Sequence, residues 1–335
     1  MSSQPQQSPE VVIVRELLDA GDSYVSGSAL AAQLGLSRVA IWAHMEKLRT
    51  LGYRIEAVRR RGYRLQHKPD GLEENQLRAA LTNLGRPLAL VFLASVDSTN
   101  SEAERRLASG GETPLVIIAR SQERGRGRLG RRWVSGDHGN LYLSFAFRPE
   151  LRPARMQDFT LWMGVNVCDA LANTCRIDAV VKWPNDLLHA GRKLGGMLTE
   201  ARIDADHTRD VIFGLGLNIN SQRHQWPDDI AARTTSVSEA LGRSVDLNRV
   251  AAAIITRVIK ALDLFIADEY RADFNRLWER LDHLRGRRVA VLFGQKRVEG
   301  TAEGIDSTGA LRLRDDQGRL HRCLAGDVTI EKSPA

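Results

Sequence analysis

Apolar positions at helical spacing open the chain and predict a small helical unit. A first helix ends at Gly21 and carries an apolar face formed by Val11, Ile13, Val14, Leu17 and Leu18. A second helix covers about 27–34, and a third covers 38–49 with Ser37 as its N-cap. Two short strands at 54–58 and 62–65 then flank a run of three arginines. This order of elements predicts a winged helix-turn-helix.

Beyond residue 72 the pattern mixes alternating and helical segments, which predicts a layered α/β or α+β domain. Short apolar or alternating runs predict strands at 88–93, 115–120, 141–147, 179–183, 193–203 and 210–217. Helical periodicity predicts helices at 72–84, 101–109, 154–174, 247–267 and 268–282. Since several strands follow one another directly, we expect a mixed or mostly antiparallel sheet.

From residue 286 onward, short strands alternate with turns and predict a small β-barrel. These strands are expected at 288–292, 297–304, 310–313, 320–324 and 328–330. A linker at 67–71 separates the helical unit from the rest of the chain. The predicted organisation is therefore a winged helix at 1–68, an α+β domain at 69–283 and a β domain at 284–335.

Composition adds a few constraints to this picture. A net charge of +7 suits an anionic partner such as nucleic acid. The cysteines Cys168, Cys175 and Cys323 fit no zinc spacing and are expected to be buried free thiols in a reducing compartment. No apolar run approaches a membrane span, and the first ten residues resemble a disordered tail rather than a signal peptide. We therefore expect a cytoplasmic protein without a membrane partner.

A loop rich in glycine and arginine at 122–132 is the first candidate for chemistry. Its segment 125–130 has the G-x-G-x-x-G spacing of dinucleotide-binding turns, but such a turn opens a helix and here a strand follows. Guanidinium groups bind phosphate in a fork, and glycine lets the backbone approach a ligand. The loop's arginines are Arg124, Arg126, Arg128, Arg131 and Arg132. We predict a flap, mobile until it folds over a polyanion, with a solvated basic loop as the alternative.

Polar side chains at 97–102 precede a predicted helix. A capping box between Thr99 and Glu102 is the simpler interpretation of this segment. The functional interpretation is that hydroxyl and amide groups at a helix N-terminus receive a polar or anionic ligand. Both interpretations remain open at this point.

Lysine and glycine combine in a third segment, 182–196. A Trp-Pro-Asn-Asp turn at 183–186 is followed by Lys193 at the start of an apolar strand, and Gly195 and Gly196 permit the close approach of a ligand or backbone. Lys193 is either a phosphate-neutralising cation or a solvated lysine at a strand end. The glycines at 214 and 216 serve close approach to a ligand or tight strand packing.

In this order, the motifs at 98–100, Gln122 with 125–131, 182–186, 192–196 and 214–218 resemble those of the biotin–protein ligases. With the winged helix, the chain resembles the bifunctional bacterial ligases that also repress the biotin operon, from about residue 11 to 330. The resemblance implies a central mixed-sheet domain related to class II aminoacyl-tRNA synthetases and lipoate ligases. It also implies an SH3-like β-barrel at the C-terminus.

The resemblance further implies which residues contact the ligands. Binding of biotin and its adenylate is implied for Ser98, Thr99, Asn100, Gln122, Arg126, Gly127, Arg128, Asp186, Lys193 and Asn218. Lys193, Arg126 and Arg128 are implied as the catalytic cations, and no metal site on the protein is expected. Whether Trp133 or Trp226 stacks on the adenylate remains open.

The implied reaction joins two anions and needs no enzyme nucleophile. Biotin is activated by MgATP to biotinyl-adenylate and then passes to a lysine of the biotin carboxyl carrier protein of acetyl-CoA carboxylase. ATP with Mg²⁺ is the co-substrate, biotin is the substrate, and no tightly bound prosthetic group is expected. Fixed cations stabilise the charge that develops as pyrophosphate leaves.

The winged helix implies the operator DNA of biotin-synthesis genes as a second partner, with biotinyl-adenylate as corepressor and a homodimer in the adenylate-bound state. The candidate DNA contacts are Ser37, Arg38, Trp42, His44, Lys47, Arg59, Arg60 and Arg61. Ala43 departs from the family pattern, in which a basic residue often follows the tryptophan, so the operator sequence and DNA affinity do not carry over.

Two other functions remain open on the sequence alone. A transcription regulator whose large domain only senses a small molecule would not need Lys193 together with the arginine loop. A lipoate ligase would lack the winged helix. Pyrophosphate release and a choice between biotin and lipoate separate these functions from that of a biotin ligase.

Overall fold

The computed structural model describes residues 7–84, 86, 88–137, 139–151, 153–156, 158–204 and 207–330. Most of the predicted N-terminal tail, residues 1–6, therefore lies outside the described residues. The chain forms two compact units, one drawn from residues 1–87 and 246–252 and the other from 88–245 and 253–335.

The first unit is a winged helix-turn-helix, as predicted. It contains α1 (Pro9–Asp19), α2 (Gly27–Leu34), α3 (Arg38–Thr50), β1 (Arg54–Val58), β2 (Gly62–His67) and α4 (Glu74–Ala80). Its core joins the apolar faces of the three first helices, with Ile13, Leu30 and Met45 almost fully buried. The side chain of Ser37 caps α3 by accepting from the Ala40 N–H at 3.1 Å.

Helix α4 also belongs to this unit. It packs against α1, and the Tyr53 hydroxyl donates to Glu73 at 2.5 Å. Glu73 in turn caps α4 by accepting from the Gln76 N–H at 2.8 Å. The compact unit therefore continues beyond residue 68.

The second unit is built on a seven-stranded mixed sheet. Its strands are β3 (Ala89–Val96), β4 (Leu115–Gln122), β5 (Leu141–Phe147), β6 (Val180–Lys182), β7 (Asp186–His189), β8 (Arg192–Asp204) and β9 (His207–Leu217). They lie in the order β3-β4-β5-β9-β8-β7-β6, with β3 parallel to β4 and the other pairs antiparallel. Strand β7 is an element that the sequence pattern did not predict.

Helices cover this sheet and pack through aromatic side chains. They are α5 (Thr99–Ala108), α6 (Phe159–Cys175), α7 (Asp228–Ala231), α8 (Val237–Leu241), α9 (Leu247–Ile266) and α10 (Arg271–Leu281), where the first residues of α9 belong to the first unit. Phe159 on α6 meets Phe213 of β9 edge-to-face at 6.2 Å, and the Trp162 N–H donates to the Ala261 carbonyl at 2.8 Å. Helix α6 begins at Phe159 rather than 154 because a 3-10 turn, Pro153–Met156, precedes it.

The C-terminal part forms a five-stranded antiparallel sheet, which confirms the predicted small β domain. Its strands are β10 (Arg288–Phe293), β11 (Lys296–Ile305), β12 (Leu311–Arg314), β13 (Leu320–Cys323) and β14 (Asp327–Ile330), in the order β13-β12-β11-β10-β14. The Trp183 indole N–H donates to the Gly309 carbonyl at 3.0 Å and joins this sheet to the turn before β7. All three cysteines are buried free thiols, as predicted. No described helix is long and apolar enough to cross a membrane.

Candidate active site and nucleic-acid interface

A buried polar cluster lies where α5 begins and the end of β4 meets it. Strands β3 and β4 run parallel, with Val96 opposite Gln122, so the start of α5 lies beside the last residue of β4. Gln122 Oε1 accepts from the Thr99 N–H at 2.8 Å and from the Thr99 hydroxyl at 3.0 Å. The Ser144 hydroxyl of β5 lies 2.8 Å from Thr99 Oγ1 and donates to Asn100 Oδ1 at 2.6 Å. The structure therefore brings together the polar residues predicted from two separate motifs.

This geometry excludes one of the two interpretations of the 97–102 segment. The N-cap of α5 is Ser98, which is buried and makes no side-chain capping hydrogen bond. The Thr99 hydroxyl donates to Gln122, and Glu102 pairs with Arg105 and Arg106. A capping box between Thr99 and Glu102 is therefore wrong, and the polar groups face Gln122 and Ser144 instead.

The arginine loop after β4 folds back on itself. The Gly127 N–H donates to the Arg131 carbonyl at 2.7 Å, and the Trp133 N–H donates to the Gly125 carbonyl at 2.8 Å. A side chain at Gly125 would lie 2.5 Å from the Trp133 carbonyl, so the turn requires glycine there. The loop lines a cavity of about 680 Å³ together with Leu198–Glu200 of β8. We expected a mobile flap; the structure gives the loop definite internal hydrogen bonds.

Trp133 anchors the loop to the glycines of β8 and β9. A methyl group at Gly216 would lie 2.5 Å from Trp133 Cε2, and one at Gly196 would lie 3.0 Å from Cζ3. These glycines therefore serve the close approach of an indole ring. The Lys193 ammonium lies 5.4 Å from the centroid of the same ring, within cation–π range. The indole and the lysine thus share one wall of the site.

The candidate cations of the site lie close to two carboxylates, those of Asp186 and Asp327. Lys193 Nζ pairs with Asp186 Oδ1 at 2.6 Å across the β7–β8 pair, in which Asp186 lies opposite Gly196 and Lys193 lies opposite Leu188. Arg128 donates to Asn185 Oδ1 at 3.1 Å, and Arg131 pairs with Asp327 of β14. Burial lowers the pKa of Arg128, while Asp327 and Asp186 act in the opposite direction. A partly desolvated guanidinium interacts strongly with an anion that reaches it.

Lys182 adds a further cation to this group. Burial lowers the pKa of Lys182 and the nearby Lys193 adds to that effect, whereas Asp186 and Asp327 favour its charged form. Lys182 lies directly opposite Asp186 across the β6–β7 pair. The described residues around Asp186 thus carry more positive than negative charge, which suits a phosphate-bearing ligand.

Asn218 makes hydrogen bonds to the backbone beside Lys193. Its N–H donates to the Leu194 carbonyl at 2.9 Å, and its side-chain amide donates to the Thr235 carbonyl at 3.1 Å. The Lys193 backbone pairs with the same segment through the Arg233 carbonyl and the Thr235 N–H. Asn218 therefore fixes the chain that carries Lys193. Trp226 is buried after the 3-10 turn Arg223–Gln225.

Four polar residues at the site were missed in the sequence analysis. Ser135 accepts from Gln122 Nε2 at 2.9 Å, and Asn185 donates to the Met197 carbonyl at 2.8 Å. Ser144 and Glu200 complete the set: Glu200 Oε2 accepts from Arg126 at 2.6 Å and from Asn100 at 2.8 Å. Only Asn185 lies in a recognisable motif. The other three stand on ordinary strands or loops, where a local pattern carries no signal for them.

The winged helix presents a groove between α3 and the wing, which is the β1–β2 turn with Arg59, Arg60 and Arg61. This groove has a volume of about 470 Å³ and contains Arg38, Val39 and Trp42 from α3 together with the three wing arginines. Val39 and Trp42 are 75% and 54% exposed, and the Arg61 guanidinium stacks over Tyr24 at 4.3 Å. Exposed cations around apolar side chains are the composition of a DNA-reading surface.

His44 and Lys47 both contact Glu10, a residue of the same domain. His44 Nδ1 lies 3.1 Å from Glu10 Oε1, and Lys47 Nζ lies 2.6 Å from the same oxygen. Only 7% of the Glu10 side chain is exposed, whereas 64% of Lys47 is. Glu10 on α1 therefore holds the middle of α3, and the two basic residues have a structural contact besides any contact with DNA.

The buried Glu10 makes the stability of this domain depend on acidity. Burial opposes its ionisation, but hydrogen bonds from Lys47, its own backbone and His44 lower the pKa of Glu10 from 4.5 to about 2. The stabilisation that the ionised Glu10 gives the folded domain is present above pH 4.5 and is lost as the pH falls towards 2. Hydrogen exchange of α1 and α3 amides, corrected for intrinsic rates, should show protection falling over that window. Glu10→Gln should flatten the fall; an unchanged profile contradicts the assignment.

Three family models match the chain in the same order as its structural parts. A helix-turn-helix domain matches residues 12–64, the Biotin/lipoate A/B protein ligase family matches 92–218, and the Biotin protein ligase C terminal domain matches 285–330. Together with the polar cluster and its cations, these matches define a ligase of the biotin/lipoate type.

Relatives narrow the class further. The bifunctional ligase/repressor BirA of Bacillus subtilis (strain 168) is 32% identical over 93% of this chain and 95% of its own length. The bifunctional ligase/repressor BirA of Escherichia coli (strain K12) is 32% identical over 94% of this chain and 95% of its own length. The structure of the Aquifex aeolicus biotin protein ligase in complex with biotin and ATP matches with a TM-score of 0.62 and 27% identity, covering 73% of this chain and 99% of that one. The chain therefore belongs to the biotin–protein ligase family, among the members that join a ligase to an N-terminal helix-turn-helix domain. The predicted enzyme class is confirmed.

Proposed function

We propose that the chain activates biotin with MgATP at the Thr99–Gln122–Lys193 site and transfers it to a lysine of the biotin carboxyl carrier protein of acetyl-CoA carboxylase. The observation that carries this proposal is that the arginine loop contacts both parts of the site: it reaches the buried polar cluster through Glu200, and it reaches Lys193 through Trp133. The curated relatives are named as bifunctional ligase/repressors, which supports the same activity together with DNA binding. These proposed partners support a cytoplasmic location.

In the first step, the biotin carboxylate attacks the α-phosphorus of ATP, a P–O bond forms and pyrophosphate leaves. Lys193 holds the carboxylate against the phosphate and neutralises charge that develops in the transition state. Arg126 and Arg128 bind the phosphate oxygens through charge-assisted hydrogen bonds. Mg²⁺ enters as part of the MgATP substrate. Thr99, Asn100 and Gln122 offer donors and acceptors to the polar end of biotin, with Ser98 and Gly127 lining the site.

In the second step, the amine of the acceptor lysine attacks the carbonyl carbon of the adenylate. An amide bond forms, the carbon–oxygen bond to the phosphate breaks, and AMP leaves. The closed arginine loop shields the mixed anhydride from water until the acceptor arrives. The same cations stabilise the departing phosphate.

A transfer assay tests this function directly. The protein is incubated with biotin, MgATP and a biotin carboxyl carrier domain, and the product is detected with streptavidin after denaturing electrophoresis. Labelled acceptor that depends on ATP supports the proposal. Lipoate in place of biotin is the control, and transfer of lipoate instead of biotin would overturn the substrate assignment. Pyrophosphate release without acceptor reports the first step alone.

We further propose that the winged helix binds the operator of biotin-synthesis genes and that biotinyl-adenylate is the corepressor. A single winged helix makes few phosphate contacts, whereas a symmetric dimer presents two such domains to two half-sites. The adenylate favours the dimer only if it binds the dimer-competent form more tightly. Closure of the arginine loop over the adenylate provides such a difference between the two forms.

Addition of biotin and MgATP is therefore expected to shift the protein from monomer to dimer and to tighten its binding to a palindromic operator. Analytical ultracentrifugation and operator binding, measured in the same buffers, follow both changes. Biotin without ATP is the control, because it forms no adenylate. If the sedimentation coefficient and operator affinity stay unchanged, the corepressor proposal fails and the ligase assignment is unaffected.

A further inference from the structure

We propose that Glu200 is a positioning residue of the ligase site, which ties the arginine loop to the polar cluster beneath it and so sets the closure of the loop over the adenylate. The proposal rests on the function proposed above, because it concerns the same site. Glu200 lies on β8 and lines the cavity that the loop covers.

One oxygen of Glu200 serves two partners. Glu200 Oε2 accepts from Arg126 Nη2 of the loop at 2.6 Å and from Asn100 Nδ2 of α5 at 2.8 Å. The Asn100 side chain is buried and held firmly: its Oδ1 accepts from Ser144, and a methyl group at Gly214 would lie 2.2 Å from that oxygen. A fixed amide therefore orients the carboxylate, and the carboxylate orients the arginine.

The hydrogen-bonded chain through Glu200 begins and ends on the loop. From Asn100 it continues to Ser144, whose hydroxyl lies 2.8 Å from Thr99 Oγ1, and then to Gln122, the last residue of β4 before the loop. Glu200 thus closes a ring that connects the base of the loop, the polar cluster and Arg126. A ligand that engages Thr99, Asn100 or Gln122 is coupled through this ring to the position of the loop.

Stability alone does not account for this arrangement. The side chains of Glu200 and Arg126 are each 37% exposed, and exposed ion pairs contribute little to folding. Substitution of Glu200 should therefore leave the fold intact. The loop should instead become less ordered. Among the contacts described, Glu200 is the only partner that connects Arg126 to the polar cluster, and the substitution removes it.

The expected effect is faster loss of the adenylate rather than weaker binding of biotin. Glu200→Ala removes both contacts and should raise the dissociation rate of biotinyl-adenylate by about ten-fold to a hundred-fold, the usual range for a lost charge-assisted hydrogen bond. Glu200→Gln keeps an acceptor for Asn100 and should give a smaller increase. Affinity for biotin alone should change by less than about three-fold in both variants, because the loop covers the phosphate side.

A double-mutant cycle with Arg126→Ala tests the connection. Dissociation of chemically synthesised biotinyl-adenylate is measured for wild type, Glu200→Ala, Arg126→Ala and the double variant. If the ring operates as proposed, the double variant dissociates no faster than the worse single variant, because both substitutions break the same link. The control cycle combines Glu104→Ala, in place of Glu200→Ala, with Arg126→Ala. Glu104 lies away from the loop and forms an ion pair with the exposed Arg202, with 3.2 Å between the charged atoms. The effects of Glu104→Ala and Arg126→Ala on the dissociation rate should be additive.

Limited trypsin digestion supplies a second measurement, since the loop carries five arginines. Adenylate should protect the loop in wild type and in Glu104→Ala, and it should protect much less in Glu200→Ala. Circular dichroism and thermal unfolding confirm that the variants fold. Additive effects in the Arg126 cycle, or wild-type retention and protection in Glu200→Ala, would overturn the role of Glu200. A wild-type protein that neither forms nor binds the adenylate would instead overturn the proposed function, and the role of Glu200 with it.

Discussion

Replacement of Lys193 by alanine is expected to slow biotinyl-adenylate formation by about 100-fold to 1000-fold, the usual effect of removing one group that stabilises developing charge. The ammonium lies 2.6 Å from Asp186 and against the Trp133 ring, at the point where β8 enters the site. Its loss removes a cation and also leaves the negative charge of the Asp186 carboxylate less neutralised beside an anionic substrate. Both consequences oppose the meeting of carboxylate and phosphate.

Pyrophosphate release in single-turnover conditions measures this step. Lys193→Arg keeps the charge with a different shape and should recover part of the rate, which a purely structural role would not explain. Lys260→Ala, an exposed lysine on α9, is the matched control and should behave as wild type. Near-normal pyrophosphate release by a folded Lys193→Ala protein would remove Lys193 from the mechanism.

Thr99, Gln122 and Lys193 could be predicted as candidates because each belongs to a short motif at the end or the start of a predicted element. The sequence also predicted the elements that carry them. What brings Thr99 to Gln122 is the parallel pairing of β3 with β4, a register that local periodicity does not specify. Strand β7 escaped prediction because it has four residues directly after a proline turn, too few for an alternating pattern.

Glu200 illustrates a different limit. It stands in β8 among alternating residues, and its partner Arg126 is 74 positions away in the sequence. A charge in a strand is most often solvated, so nothing local distinguishes this carboxylate from its neighbours. Glu10 is similar: an acidic residue in the first turn of a helix is explained by the helix dipole alone, and its burial beneath His44 and Lys47 depends on tertiary packing.

Trp133 explains why a loop of glycines and arginines can be ordered at all. Ordering eleven residues costs on the order of 10–20 kcal/mol in backbone entropy, and the loop sequence lacks an internal apolar anchor. The indole supplies that anchor just beyond the loop, and the glycines at 196 and 216 make room for it. Since Lys193 packs on the same ring, the position of the loop and the placement of this proposed catalytic cation are connected.

The wing arginines should dominate DNA binding. Replacement of Arg59, Arg60 and Arg61 by alanine is expected to weaken operator binding by about 100-fold or more at moderate salt and to lower the slope of log affinity against log salt by about 2–3, since each lost phosphate contact contributes about 0.9. All three side chains are exposed beside Arg38 and Trp42 in one groove. Fluorescence anisotropy over a salt series measures affinity and slope together.

A variant with the same loss of charge elsewhere separates contact from net charge. Arg271, Arg276 and Arg280 are exposed on α10, and their replacement by alanine removes the same three charges. This control should keep both the operator affinity and the salt slope, because its arginines lie outside the wing and only long-range, screened attraction is lost. Both variants should retain biotin transfer, since Lys193 and the arginine loop are untouched. If the wing variant and the α10 variant lose affinity equally, DNA is attracted by the overall charge of the protein, and the groove between α3 and the wing is not its binding surface.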